Sequence, residues 1–110
     1  MKERGGVSME YHKLVRDRIP ELIERQGETP RIRILEEDAY IEQLERKLDE
    51  EVAEYHESRE TEELADILEV VLALAKAHGV TQDELIAAYR RKHEARGGFD
   101  KRIFLIAKEP

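Results

Sequence analysis

Four carboxylates come in two pairs along LDEEVAEYHESRETEELADILEVV, residues 48–71: Glu51 with Glu54, and Glu63 with Asp66. Residues three apart on a helix share a face, so each pair can converge. With Leu44 as the origin of a helical wheel, Leu48, Val52 and Tyr55 fall at about 40°, 80° and 20°. Glu51 falls at about −20°, inside this apolar stripe, and Glu54 at about −80°, on its edge. Glu50 lies farther round, toward solvent. On the next segment Glu63 and Asp66 lie near Val70 on one face. Carboxylates crowded among core positions repel one another and lose hydration. A divalent cation relieves both penalties. Hard oxygen donors suit Mg²⁺, with Mn²⁺ a second candidate. The competing reading is a solvated acidic face, common in a chain with 26 acids among 110 residues. Glu51 and Asp66 sit among leucines and valines, which favours the cation.

Cationic groups flank this acidic stretch. Lys92 and Arg96 are four apart and are followed by GGF. They suit a pair gripping phosphate oxygens; on spacing alone the ordinary reading is the dipole complement of a helix end capped by glycine. Lys13, Arg16 and Arg18 in KLVRDR suit phosphate contacts, or a basic turn in which Asp17 caps a helix. His12, His56, His78 and His93 show no metal-binding spacing. Walker A, GxGxxG and GxSxG patterns are absent, which leaves P-loop, Rossmann and serine-hydrolase chemistry without support.

The elements that must position these groups are mainly helical. Residues 1–10 read as a disordered lead-in, with Met1 and Met9 both candidate starts. Pro20 suits the first turn of a short helix that Gly27 ends, and Pro30 marks a break. A long helix is expected over residues 36–57, its apolar positions being Ile41, Leu44, Leu48, Val52 and Tyr55. Residues 58–61 break it. Thr61 is the expected cap of a third helix, residues 62–78, ending at Gly79. Its run LADILEVVLALAKA is apolar nearly all round, which implies burial on most sides. Thr81, with Glu84 three residues on, has the capping-box pattern for a last helix over residues 82–96. Two short alternating stretches, RIRIL at 31–35 and DKRIFLIA at 100–107, read as strands that pair with each other.

Composition agrees. Apolar residues make up 40% and charged residues 41%, with 5% aromatics. That favours long amphipathic helices over a β-sandwich. Net charge is −7, unevenly spread: residues 36–66 hold 14 acids and three bases, the remainder 12 acids and 16 bases. Such asymmetry argues against a nucleic-acid surface and for an acidic site with bases able to approach an anion. There is no cysteine, hence no disulfide or thiolate site. No signal peptide or membrane span is legible. The expectation is a soluble, cytoplasmic protein without membrane or nucleic-acid partners.

KLDEEVAE at 47–54 and ELAD at 63–66 resemble the EExxE…ExxD signature of the MazG-type all-α nucleotide pyrophosphohydrolases. KLVRDRIPE at 13–21 and RGGF at 96–99 are similar to the small phosphoribosyl-ATP pyrophosphohydrolase-like, or house-cleaning, branch. The resemblance spans residues 11 to about 105 and implies one domain over 11–107. It implies an all-α, MazG-like helical bundle with a small two-stranded β element, completed by oligomerisation to at least a dimer. It implies Mg²⁺ held by Glu51, Glu54, Glu63 and Asp66. Glu50 would orient or deprotonate the attacking water. Lys92 and Arg96 would face phosphate, with Lys13, Arg16 and Arg18 as further phosphate contacts. The implied reaction splits a nucleoside triphosphate between its α- and β-phosphates. The chain departs from many relatives at Tyr89, where they carry Asn. Phosphoribosyl-ATP is an alternative substrate, and a non-catalytic helical dimerisation or adaptor module is the alternative from another class.

Overall fold

Pro20 stands in the first turn of α1 (Ile19–Arg25), where its missing N–H leaves no helical bond unmade. The residue at the cap position is Arg18 rather than Asp17, and it makes no side-chain capping bond. Arg18 instead reaches forward to Glu21, at 2.8 Å, and Arg25 grips the same carboxylate at 2.9 Å. Gly27, at φ 87°, ends the helix. The Glu28 N–H returns to the Ile23 carbonyl and the Gly27 N–H to that of Glu24, the paired bonds of a Schellman motif. The structure, a computed structural model, describes residues 8–110. Most of the lead-in read at 1–10, residues 1–7, therefore lies outside the described residues.

α2 (Glu37–Ser58) carries the expected stripe, with Leu44 buried at its centre. Glu51 is buried with it, at 6% exposure. Arg59 then adopts a left-handed conformation, φ 59°. Its own side chain braces that backbone: Nε donates to the His56 carbonyl at 2.9 Å, and the guanidinium lies over the Tyr55 ring. The Glu60 N–H donates to Ser58 Oγ. Thr61 is the first residue of α3 (Thr61–Ala77), not its cap; extended Glu60 takes that place.

α3 ends at His78 in a second Schellman motif, with Gly79 at φ 83°. Val80 N–H reaches the Ala75 carbonyl at 2.8 Å and Gly79 N–H that of Lys76 at 3.0 Å. α4 (Gln82–Arg96) opens with the expected capping box: Thr81 Oγ1 accepts from Glu84 N–H at 3.1 Å, and Glu84 accepts from Thr81 N–H at 2.9 Å.

The described residues are all-α, with four helices and no strands. Residues 31–35 and 100–107 run without ladder bonds, so the expected two-stranded element does not form within the protomer. Both stretches are exposed for most of their length, and alternation alone did not bring them together.

α2 packs along α3, α4 touches α3 but not α2, and α1 makes no helix–helix contact. A hairpin covers one side of each helix only. Of α3, accordingly, Val70 alone is buried, while Leu64 and Leu68 stay about half exposed. The expected burial of α3 on most sides is not met within one copy. The molecule measures 76 × 31 × 23 Å, with a radius of gyration of 19.7 Å, against about 13 Å for a compact chain of this length. No described helix is long and apolar enough to cross a membrane.

Candidate functional site

The connection between α2 and α3 is only residues 59 and 60, so the helices fold back on each other at once. In an antiparallel hairpin, positions equally far from the turn lie side by side. Counted from the helix ends at Ser58 and Thr61, Glu54 and Glu63 stand four and two residues in, and Glu51 and Asp66 seven and five, so both couples lie near this match. Local geometry supplies the rest, because Glu51 and Glu54, like Glu63 and Asp66, share a helix face. The four predicted ligands thus meet in the seam between α2 and α3.

Two overlapping triads result. Glu51, Glu63 and Asp66 each offer a carboxylate oxygen within 4.8 Å of the other two, and so do Glu50, Glu51 and Glu54. Glu51 belongs to both and is the most deeply buried of the five. Glu63 is half-buried, but its Oε2 is closed off from water and has no hydrogen-bond partner. An unpaired buried carboxylate oxygen is expensive unless something supplies positive charge to it.

The electrostatics divide the acids. Burial pushes the Glu51 carboxyl above the ordinary range, and the charges of Glu54 and Asp66 add to that, against the pull of Lys47. Burial also raises Glu63, seconded by Glu54 and Asp66. Glu50 goes the other way. Burial opposes its charge, but Lys13 and Lys47 outweigh burial and hold it below the usual range. One acid therefore stays firmly ionised beside two that resist ionisation.

Two of the three predicted N-terminal bases reach this seam. Lys13 Nζ donates to Glu50 Oε2 at 3.0 Å. Arg16 Nη2 donates to Asp66 Oδ1 at 2.6 Å, and its Nη1 lies 3.8 Å from Glu69. Arg18 does not reach it, being turned to Glu21.

No family model matches the chain. Nor does any solved structure. A stretch of 41 residues is 66% identical to part of an uncharacterized protein of Mycolicibacterium smegmatis. It makes up 37% of this chain and 42% of the relative, so the match takes in less than half of that protein. The relative's description names no activity, and the chemistry rests on the residues themselves.

Lys92 and Arg96 are placed differently from the acids. Both are exposed on α4, a helix that does not touch α2. Among the described residues neither forms an ion pair with the acidic seam. Tyr89, 61% exposed on the same helix, tilts against His93.

Sequence reasoning missed Lys47. Its side chain, 19% exposed, lies 3.4 Å from Glu50 and 3.9 Å from Glu51. The signal was present: Lys47 stands three and four residues before those acids, the spacing of facing helix neighbours.

Proposed function

We propose that the chain is a Mg²⁺-dependent nucleoside triphosphate pyrophosphohydrolase of MazG-like fold, active as a homo-oligomer. The observation that supports this most is the oxygen cluster of Glu51, Glu63 and Asp66, within 4.8 Å and only partly solvated, with one buried oxygen lacking any partner. A divalent cation fits that donor set. The donors are hard, anionic oxygens, and the site is open enough on the Glu54 side to leave positions for water or phosphate.

Glu51, Glu54, Glu63 and Asp66 would hold the cation. When bound, it supplies Lewis acidity and charge neutralisation for a phosphoanhydride. Glu50 stands beside the ligands and stays ionised, so it can accept a proton from the attacking water. Water adds to the α-phosphorus, the α–β anhydride bond breaks, and pyrophosphate leaves with the bonding electron pair. Lys13 and Arg16, now paired with Glu50 and Asp66, would exchange those carboxylates for phosphate oxygens. Lys92 and Arg96 act on phosphate only if another copy presents them.

The test is a panel of nucleoside triphosphates and phosphoribosyl-ATP, with Mg²⁺ or EDTA, scored for pyrophosphate. Pyrophosphate release that needs Mg²⁺ and is lost in Glu50→Gln and Asp66→Asn is expected. Orthophosphate as the product, or no turnover of any member by a protein that binds Mg²⁺, defeats the proposal.

A further inference from the structure

The C-terminal segment leaves the helical body and is covered by nothing. Gly97 ends α4 at φ 82°. A turn follows, closed by Arg102 N–H donating to the Phe99 carbonyl at 3.1 Å. The chain then continues without regular hydrogen bonding through Ile103, Phe104, Leu105 and Ile106. These four consecutive large apolar side chains are 78% to 89% exposed. In an extended chain successive side chains point to opposite sides, so alternate residues of this run can press on one surface while the others stay free for a second.

A receiving surface is present on every copy. On α3, with Leu64 as origin, Leu68, Val71 and Ala75 lie within about 40° and form one stripe. Glu63 and Val70, which face α2, lie about 100° to 120° away. The stripe is therefore a second apolar face, left open by the hairpin, with Leu64 at 50% and Leu68 at 54% exposure. Charge is complementary as well. Residues 101–108 carry Lys101, Arg102 and Lys108 and no acid, in a chain whose net charge is −7. The area is ample. The protomer exposes 10349 Å², about 4,000 Å² more than a compact monomer of its mass. A standard interface needs only about 800 Å² from each partner.

We infer that residues 103–107 of each copy seat on the α2–α3 hairpin of a second copy, against Leu64 and Leu68, in a reciprocal clasp. Each copy offers both the segment and the stripe, so one two-fold axis satisfies both. The proposal does not depend on the hydrolase reading.

The chain has no tryptophan, so Phe104→Trp provides a single reporter. Mass by light scattering and tryptophan emission are followed together on dilution. The expected result is a mass of twice 12.9 kDa with blue-shifted emission, the emission moving red as the mass falls. Ile106→Asp, at a position exposed in the protomer, should leave helical circular dichroism unchanged and weaken association at least 100-fold. Leu68→Glu in the reporter background should abolish the blue shift while helicity is retained. A chain that stays single at high concentration overturns the clasp. So do a dimer whose reporter emits as in water, a blue emission that persists in the monomer, association indifferent to Ile106→Asp, and a blue shift that survives Leu68→Glu.

Discussion

Replacing Glu51 by glutamine should make the metal-free protein more stable and its response to Mg²⁺ vanish. Glu51 is 6% exposed, and four carboxylates bring an oxygen within 4.8 Å of its own. At that separation a like-charge pair is worth about 3.5 kcal/mol at an effective dielectric of 20 and under about 1 kcal/mol in water. Lys47, at 3.9 Å, offsets roughly one such pair. Solvent at exposed Glu54 and at half-buried Glu50, Glu63 and Asp66 screens the remainder. The amide should therefore gain about 1–3 kcal/mol at neutral pH in EDTA. For a domain of this size that is about 4–8 °C of melting temperature per kcal/mol. Wild type should gain about 2.7 kcal/mol when free Mg²⁺ is a hundred times its Kd, and Glu51→Gln nothing. Thermal melts by circular dichroism, with EDTA and then with Mg²⁺, read both effects. A variant that melts at or below wild type in EDTA refutes the crowded-carboxylate reasoning. A variant that keeps the full Mg²⁺ shift refutes the ligand assignment.

The same electrostatics set a pH dependence. Glu51 and Glu63 have carboxyls raised in the folded state, so their contribution is complete below the ordinary carboxylate pKa of about 4 and is lost as pH rises through the raised values. Glu50 is lowered, so its contribution is present above about pH 4 and lost as pH falls through the lowered value. In EDTA, denaturation midpoints should therefore rise as pH falls through the raised values of Glu51 and Glu63 toward about pH 4, and the Mg²⁺-induced gain should shrink over the same range. Lys47→Met removes the half-buried counter-charge of Glu50 and Glu51 and should destabilise the metal-free protein by about 1–3 kcal/mol, measured by urea unfolding. Arg16→Met breaks a pair that is 54% and 37% exposed. It should cost under about 1 kcal/mol of stability yet raise KM for the nucleotide severalfold in steady-state assays. Thr81→Ala removes the Oγ1 acceptor of the capping box, leaving only the backbone N–H bond to Glu84, and should cost about 1 kcal/mol in urea unfolding, with the Mg²⁺ shift intact.

The helices and the acidic seam were legible because both follow from local spacing. The stripe from Leu44 to Tyr55 marks α2, and Glu51 falls inside that stripe, so its burial follows. Capping was legible where a motif joins two residues, as at Thr81 and Glu84, and misread where a single residue carried it. Asp17 and Thr61 each lost the cap position by one residue, to Arg18 and Glu60. The strands were misread for a different reason. Alternation in RIRIL marks a backbone fit for pairing, but a partner is a long-range matter that composition does not encode. The cationic groups are a long-range matter too. Lys13 and Arg16 reach the acids across 37 and 50 residues of sequence, and the position of Lys92 and Arg96 depends on how α4 departs from α3.

The two-residue link at Arg59 and Glu60 acts as a ruler for the whole site. Adding or deleting one residue there would swing every α3 side chain by about 100° around its axis, carrying Glu63 and Asp66 away from Glu51 and Glu54. Both helices would persist, and so would much of their apolar contact, but the oxygens would no longer converge. Surface connections usually tolerate changes of length. This one should not, and a homologous chain with a longer or shorter link here would have lost the centre while keeping its fold.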